Sequence, residues 1–310
     1  MKTFKSILQF QKEFDTDAKC RAYLEESLWN GTPCCPFCAS TNVHRFPNGV
    51  TLKCREKVCR KKFTVTVGTI YENTKLPLTK WFLATYILSV HSKGISSHQL
   101  ATMLDVTQKT AWFLNHRIRE MLAEKAPQVL ENMVEVDETA VGGKRRNKHA
   151  WERKELAEQF GETGSGEKAI VAGIVERGGK VIAKVVPNTD AETLVPFMVD
   201  NVKQGATVNT DEHRSYTTIG TKGFTHETIS HSEGEYVRGK VHTNTIEGFW
   251  SLLKRQIVGI HHNVSPKHLQ RYCNEAGYRY NNRGNTQDVR FSDALSRAAG
   301  RLKYQDLIAD

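Results

Sequence analysis

Two cysteine pairs constrain this chain more than any other feature. Cys35-Pro-Phe-Cys38 is a tight CxxC knuckle, and Cys54-Arg-Glu-Lys-Val-Cys59 supplies a second pair with four residues between its members. The 15 residues from 39 to 53 that separate the pairs are the length of a β-hairpin arm. Five of the seven cysteines fall within the 26 residues from Cys34 to Cys59. In a reducing compartment, thiols clustered in this way point to metal rather than to disulfides. Four thiolates presented on two turns can surround one tetrahedral Zn²⁺ at about 2.3 Å. So small a segment has little apolar core, and the metal supplies its folding energy. The spacing predicts a zinc ribbon over residues 31–72 with Cys35, Cys38, Cys54 and Cys59 as ligands. Cys34 is an alternative to Cys35, which the CxxC geometry favours. A disulfide or plain buried cysteines are the other readings. Cys20 and Cys273 stand alone and read as structural.

The remaining composition is that of a globular chain, with 39% hydrophobic and 25% charged residues over 310 positions, which excludes wholesale disorder and collagen-like repeats. The longest apolar stretch, Trp81–Val90, is half the roughly 20 residues needed to cross a bilayer, so no membrane partner is expected. The first residues, MKTFKSILQFQKEF, turn charged too soon for a signal peptide. The expected location is the cytoplasm, in association with the nucleoid. There are 44 basic and 34 acidic residues, a net charge of +10. Such a balance points to a polyanionic partner, nucleic acid first. The run Lys57–Lys62 places cations on the second knuckle, where they can touch phosphates.

Along the chain, residues 1–30 read as a helical lead-in. Residues 76–126 turn helical. From 130 the pattern alternates strand and helix, with strands expected at Met133–Asp137, Ala169–Glu176, Lys180–Val186 and Ala206–Thr210 and a helix at Ala191–Val202. Residues 144–168 are polar and Gly-flecked and read as a mobile surface insertion, whose Lys144, Arg145, Arg146 and Lys148 either contact DNA or are simply solvated. A helix starts near Asn244, and 265–310 is helical again, with residues 286–310 as a C-terminal tail.

Within 76–126, the stretch Ile95–Trp112 is compact enough for a helix-turn-helix. Ser97 is the expected N-cap, Leu100, Ala101 and Leu104 form an apolar face, and Asp105-Val106-Thr107 makes the turn. Gln108–Arg119 is then a recognition helix, with Gln108, Lys109 and Thr110 at its exposed start, the arrangement of a helix offered to the major groove. An ordinary helical hairpin is the other reading.

Three acidic positions stand out. In Met133-Val-Glu-Val-Asp137-Glu-Thr, the strand period of two puts Val134, Val136 and Glu138 on one face and Glu135, Asp137 and Thr139 on the other. With the valines in the core, Asp137 is expected to project from an open face. Asp211 ends the second strand, Val208-Asn-Thr-Asp211. In His242-Thr-Asn-Thr-Ile-Glu247-Gly-Phe-Trp-Ser-Leu-Leu-Lys254-Arg255, helical spacing lines up Asn244, Glu247, Ser251 and Lys254 opposite an apolar face of Ile246, Phe249, Trp250 and Leu253. Phosphodiester chemistry needs an activated oxygen nucleophile and a stabilised leaving oxygen, and two Mg²⁺ (or Mn²⁺) ions held by a few carboxylates supply both. Asp137, Asp211 and Glu247 are the candidate carboxylates, and Lys254 and Arg255 the candidate phosphate contacts. His213 and His242 position DNA or water, or are structural.

These motifs resemble those of bacterial insertion-sequence DDE transposases of the ISXO type, which carry an N-terminal zinc ribbon. The resemblance rests on CPFC at 35–38, Gly68-Thr-Ile, Leu76-Pro-Leu78, VDET at 136–139 with Gly142-Gly143-Lys144, TDEHRSY at 210–216 and HTNTIEGFWSLLKR at 242–255. It implies an α/β fold in which a ribonuclease H-like catalytic domain, residues 130–285, follows the zinc ribbon and the helix-turn-helix, with Asp137, Asp211 and Glu247 as its triad. Some members of the family use Asn at the third position, and Asn244 lies on the same helix face. The resemblance further implies Mg²⁺-dependent cleavage and strand transfer, binding to terminal inverted repeats and target DNA, and at least a dimer on DNA. Two alternatives share these features: an inactive DNA-binding regulator derived from a transposase, and a ribonuclease H-like nuclease.

Overall fold

A computed structural model describes residues 2–143, 146, 149–160, 168–230 and 237–309. The chain forms two compact units. One takes the chain up to Ala123 together with the segment from Gly284 onward, and the other is Glu124–Arg283.

The first unit begins with α1 (Ile7–Glu13) and α2 (Asp17–Trp29), each opened by a hydroxyl cap, Ser6 to the Gln9 amide and Thr16 to the Lys19 amide. Asn30 ends α2 in the left-handed region at φ 47°, which Asn tolerates better than most residues. Three short antiparallel strands follow, β1 (Val43–Arg45), β2 (Leu52–Cys54) and β3 (Lys62–Phe63), in the order β1-β2-β3. Next come α3 (Leu78–Val90), α4 (Ser97–Leu104) and α5 (Gln108–Met121). The helix expected from Trp81 starts three residues earlier, directly after Pro77.

The cap of α4 is Ser96, one residue before the expected Ser97. Ser96 and Gln99 form a reciprocal capping box, whereas the Ser97 hydroxyl accepts a hydrogen bond from Gln108 Nε2 at 2.9 Å. Asp105 closes α4 in the left-handed region, and Thr107 caps α5. The C-terminal segment returns to this unit, so Phe291 packs among Phe4, Phe10, Phe14 and Phe82 with ring centroids 5.0–5.8 Å apart.

The second unit is a five-stranded mixed sheet. Its strands are β4 (Met133–Val141), β5 (Ala169–Glu176), β6 (Val181–Val186), β7 (Thr207–Asp211) and β8 (Thr225–Ile229), in the order β6-β5-β4-β7-β8. The first three pair antiparallel, and β7 and β8 run parallel to β4. One face buries Val134, Val136, Ile174 and Val208 against α7 (Ala191–Asn201). The other buries Val171 and Val175 against α8 (Asn244–Gln256) and α9 (Pro266–Asn281). Inside the 144–168 insertion lies helix α6 (Ala150–Phe160), with Trp151 exposed, so that part of the stretch is ordered secondary structure. Lys144, Arg145 and Lys148 lie outside the described residues; Arg146 is exposed. Among the described residues, no helix is long and apolar enough to cross a membrane.

Candidate active site and cysteine cluster

The acidic site is built on β4. Its alternation sends Val134 and Val136 toward α7, and Glu135 and Asp137 to the opposite face. That face is covered rather than open as expected. Ile246, Phe249, Trp250 and Leu253 of α8 need an apolar surface and find it there. Asp137 therefore sits beneath α8, and the Trp250 indole N–H donates to its Oδ2 at 2.8 Å. Gly173 is the register partner of Asp137 on β5. A Cβ at Gly173 would stand 2.5 Å from the Trp250 ring, so the glycine is what lets the indole lie across the strand. Burial pushes the Asp137 carboxyl up to about 6; the Trp250 bond opposes this, and the charges of Glu138 and Asp211 add to it.

Asp211 closes β7. The parallel ladder of β4 and β7 pairs Glu135 with Asn209 as its last residues. Asp137 and Asp211 each stand two positions beyond that pair, on the carboxyl side where β4 has an antiparallel neighbour and a parallel one. Open sheets bind ligands at such points. Asp211 Oδ1 accepts the His213 amide at 2.9 Å. Asn209 is fully buried beside this site, and among the described residues neither atom of its amide has a hydrogen-bond partner.

Glu138 points to the other side of β4. It accepts the Tyr216 hydroxyl at 2.6 Å, its Oε1 is 3.8 Å from His213 Nδ1, and burial raises its pKa with Asp211 adding. Glu247 is exposed in the first turn of α8 and accepts the Thr243 hydroxyl at 3.1 Å. Asn244, Lys254 and Arg255 are exposed on the same helix. The structure thus brings Asp137 and Asp211 within electrostatic reach of each other, with Glu247 on the helix that covers Asp137.

Glu135 is fully buried and accepts four hydrogen bonds, from Arg177 Nε (2.6 Å), Thr245 N (2.8 Å), Thr245 Oγ1 (2.8 Å) and Ile246 N (3.0 Å). His242 Nδ1 lies 3.2 Å from the same carboxylate. Sequence reasoning passed over Glu135, Glu138, Gly173, Arg177 and the polar role of Trp250. A carboxylate two positions before Asp137 in an otherwise apolar strand is a signal for Glu135. Arg177 and Gly173 carry none, because only the register of β4 with β5 brings them to the site.

The other cluster lies in the ribbon. Ligand atoms of Cys35, Cys38, Cys54 and Cys59 all fall within 4.8 Å of one another, the one such group of three or more His, Cys, Asp or Glu among the described residues. Cys35 Sγ is 3.7 Å from Cys59 Sγ, and Cys38 Sγ is 3.6 Å from Cys54 Sγ. Tetrahedral bonds of about 2.3 Å to zinc put sulfurs about 3.8 Å apart, so the four thiols fit Zn²⁺. Cys34 is outside the cluster. Lys57, Arg60, Lys61 and Lys62 are exposed on the second knuckle. In the first turn of α5, Gln108 and Lys109 are exposed and Thr110 is half-buried; Lys109 Nζ lies 5.1 Å over the Tyr304 ring.

Residues 129–281 match the family model for the ISXO2-like transposase domain, and residues 15–62 match that for the transposase zinc-ribbon domain. An uncharacterized protein in transposable element ISH50 of Halobacterium salinarum is 29% identical over 268 residues, 84% of this chain and 90% of that protein. An uncharacterized transposase-like protein of Haemophilus influenzae is 33% identical over 103 residues, 33% of this chain and 82% of that protein. The match to a transposase domain places the chain among nucleic-acid-processing enzymes. The chain belongs to the ISXO2-like transposase family, and its four-cysteine cluster is a zinc-ribbon site.

Proposed function

We propose that this transposase binds the terminal inverted repeats of its own insertion sequence and catalyses metal-dependent strand cleavage and strand transfer, with Asp137, Asp211 and Glu247 as the catalytic acids of a ribonuclease H-like domain. The observation that carries the reading is the placement of Asp137 and Asp211 side by side past the last paired residues of β4 and β7. The strand order, three antiparallel strands followed by two parallel ones, supports the fold assignment. So does the packing of α8 over the face that holds Asp137.

The donors suit a hard divalent cation. Two close carboxylates, one of them with its carboxyl pushed up to about 6 by burial and like charge, are a site that Mg²⁺ or Mn²⁺ relieves by favouring the ionised form of Asp137. When bound, such ions supply activation of the attacking oxygen and charge stabilisation of the leaving one. Among the chain's own residues, the Trp250 N–H donates to Oδ2 of Asp137 and orients a carboxylate that would hold the ion. The His213 amide fixes the Asp211 carboxylate, and Glu247 is the third ligand, with Asn244 on the same face as its alternative. Lys254 and Arg255 hold a DNA phosphate. The ribbon and the α4–α5 pair, read as a helix-turn-helix, recognise the element ends through the exposed knuckle lysines and through Gln108, Lys109 and Thr110. Two ends are cut together by at least a dimer.

The test is Mg²⁺- or Mn²⁺-dependent cleavage and strand transfer on DNA carrying the element's ends. Wild type is compared with Asp137→Asn, Asp211→Asn, Glu247→Gln and Asn244→Ala. Loss in the three acid variants with activity kept in Asn244→Ala is the expected result. Activity surviving Glu247→Gln but not Asn244→Ala moves the third ligand to Asn244. End binding without any cleavage by wild type replaces the proposal with the regulator.

A further inference from the structure

We infer that Glu135 and Arg177 are positioning residues for this reaction: together they fasten the start of α8 to the strand that carries Asp137, and so set where Glu247 stands relative to Asp137. The inference rests on the reading of Asp137 and Glu247 as catalytic acids.

Glu135 and Asp137 share one face of β4, two residues apart, so whatever binds Glu135 is held in fixed relation to Asp137. What binds Glu135 is the first turn of α8. Its carboxylate accepts the backbone N–H groups of Thr245 and Ile246 and the Thr245 hydroxyl. These amides belong to the first turn, whose N–H groups have no partner within the helix, and the positive end of the helix dipole favours a carboxylate there. Helix α8 lacks a side-chain cap of its own; Glu135 takes that role from a neighbouring strand.

Arg177 completes the fastening. It follows β5 directly, and its backbone N–H donates to Met133 O at the start of β4. Its Nε pairs with Glu135 Oε1 at 2.6 Å, and its terminal nitrogens donate to the carbonyls of Lys240 and His242. One guanidinium therefore ties β4 and β5 to the segment that leads into α8. The fork geometry of arginine is suited to several directed bonds at once, and lysine cannot reproduce it. Glu247 follows Thr245 by two residues. Further along, Trp250 donates to Asp137 itself. Helix α8 thus meets β4 at two carboxylates, one anchoring its first turn and one belonging to the reaction, and Glu247 lies between the two points. A surface carboxylate with this support is held without touching the residues that hold it.

The experiment uses the full chain, with Glu135→Gln, Arg177→Lys and Thr245→Val as variants of graded severity. Four quantities are read: amide hydrogen exchange across 243–250, calorimetric affinity for Mn²⁺ alone, the Mn²⁺ concentration for half-maximal cleavage of element-end DNA, and the affinity for that DNA without metal. Groups that orient metal ligands typically change metal affinity or activity about 10–100-fold. In Glu135→Gln, faster exchange at Thr245 and Ile246, a Mn²⁺ midpoint raised about tenfold and unchanged DNA affinity are expected. Arg177→Lys should show the same pattern to a lesser degree. If Glu135→Gln fails to fold, Thr245→Val, which removes one hydroxyl bond, still carries the test. Folded variants whose amides exchange faster while Mn²⁺ affinity and midpoint stay within twofold of wild type overturn the inference and leave a purely structural bond. Unchanged exchange overturns it as well. Failure of the catalytic reading is told apart by the acid variants: if Asp137→Asn and Glu247→Gln cleave as wild type does, it is that reading that falls.

Discussion

The ribbon and the five-stranded sheet gather their clustered polar side chains in opposite ways. In the ribbon, all four cysteine ligand atoms lie within 4.8 Å of one another. On the sheet, the charge of Asp211 adds to the burial that raises the Asp137 carboxyl, while Glu247 stays exposed on α8. The difference follows from charge and from core. A thiol carries no charge in its protonated form, so cysteines pack together without the repulsion that ionised carboxylates feel. The apolar cluster around the cysteines is small, with Leu52 and Phe63 buried and Trp29, Val43 and Val67 partly covered, and two of the ligands, Cys35 and Cys54, belong to that same core. Carboxylates repel, and the sheet does not need them to hold itself together, because two apolar clusters already cover its faces. The ribbon's ligands serve its fold. The buried Asp137 carboxylate is a burden on the sheet's fold.

The largest effect expected from this contrast is on the ribbon. Structural zinc contributes on the order of 10–16 kcal/mol to segments of this kind. Cys38→Ser, or stripping zinc with a chelator, should release amide protection across Val43–Phe63 while β4–β7 stay protected, as read by hydrogen exchange. Persistence of protection in the ribbon after complete zinc removal breaks the comparison.

Next in size is the sheet, where the sign reverses. Asp137→Asn should abolish cleavage, yet in the absence of divalent metal it should leave the protein at least as stable as wild type. The reason is the raised carboxyl. Its pKa is about 6 in the fold against an ordinary 3.8, so the native state holds a proton more tightly than the unfolded chain does. Stability therefore falls as pH rises from about 4 to about 6, and the full penalty, about 3 kcal/mol, applies above that window. Below about 4 both states are protonated and the penalty is gone. Thermal melts of wild type and Asp137→Asn should differ most at pH 7 and converge near pH 4, and Mg²⁺ should narrow the gap at pH 7. Curves that stay parallel across this range would show that the buried acid carries no such burden.

Much of this contrast was legible in the chain, and the exceptions share a cause. The ribbon ligands follow from local spacing, because CxxC is a turn with a metal geometry built in. Strand β5 falls at the expected Ala169–Glu176, since its apolar run is long and bounded. Strand β8, Thr225-His-Glu-Thr-Ile, was not foreseen; it is an edge strand with polar residues, the pattern that guards sheet edges and hides them from hydrophobic periodicity. The capping of α4 slipped by one residue because Ser96 and Ser97 are both competent caps and only the partner Gln99 decides. The face of β4 that holds Asp137 was expected to be open because alternation tells which residues share a face and not what covers it. Covering depends on the long-range return of α8, and so do the roles of Gly173, Trp250, Glu135 and Arg177.

Gly173 offers a finer probe of how the covered acid is held. An added methyl at this position would sit 2.5 Å from the Trp250 ring and 3.0 Å from Ile246 Cδ1, closer than side-chain carbons tolerate. Gly173→Ala must push the indole off the strand, at the 1–3 kcal/mol typical of overpacking, and it withdraws the N–H from Asp137 Oδ2. Trp250→Phe removes the same bond with no methyl added. If the bond matters to the acid, both variants should raise the metal concentration needed for half-maximal cleavage, whereas only Gly173→Ala carries the added strain. A metal midpoint that moves in Gly173→Ala alone would assign the effect to displaced packing.

The smallest effect belongs to the outer face of α8. Lys254 and Arg255 lie in its last turn, exposed, on the helix whose inner face covers Asp137. Cations there also suit the negative end of the helix dipole, so their presence alone does not demonstrate a phosphate contact. Salt separates the two roles. Each phosphate neutralised on duplex DNA contributes about 0.9 to the slope of log affinity against log salt. Lys254→Ala should therefore flatten that slope by about one on element-end DNA while leaving thermal stability within about 0.5 kcal/mol of wild type. A cation that served only the dipole would give the converse: an unchanged slope with a small loss of stability that shrinks as salt is added.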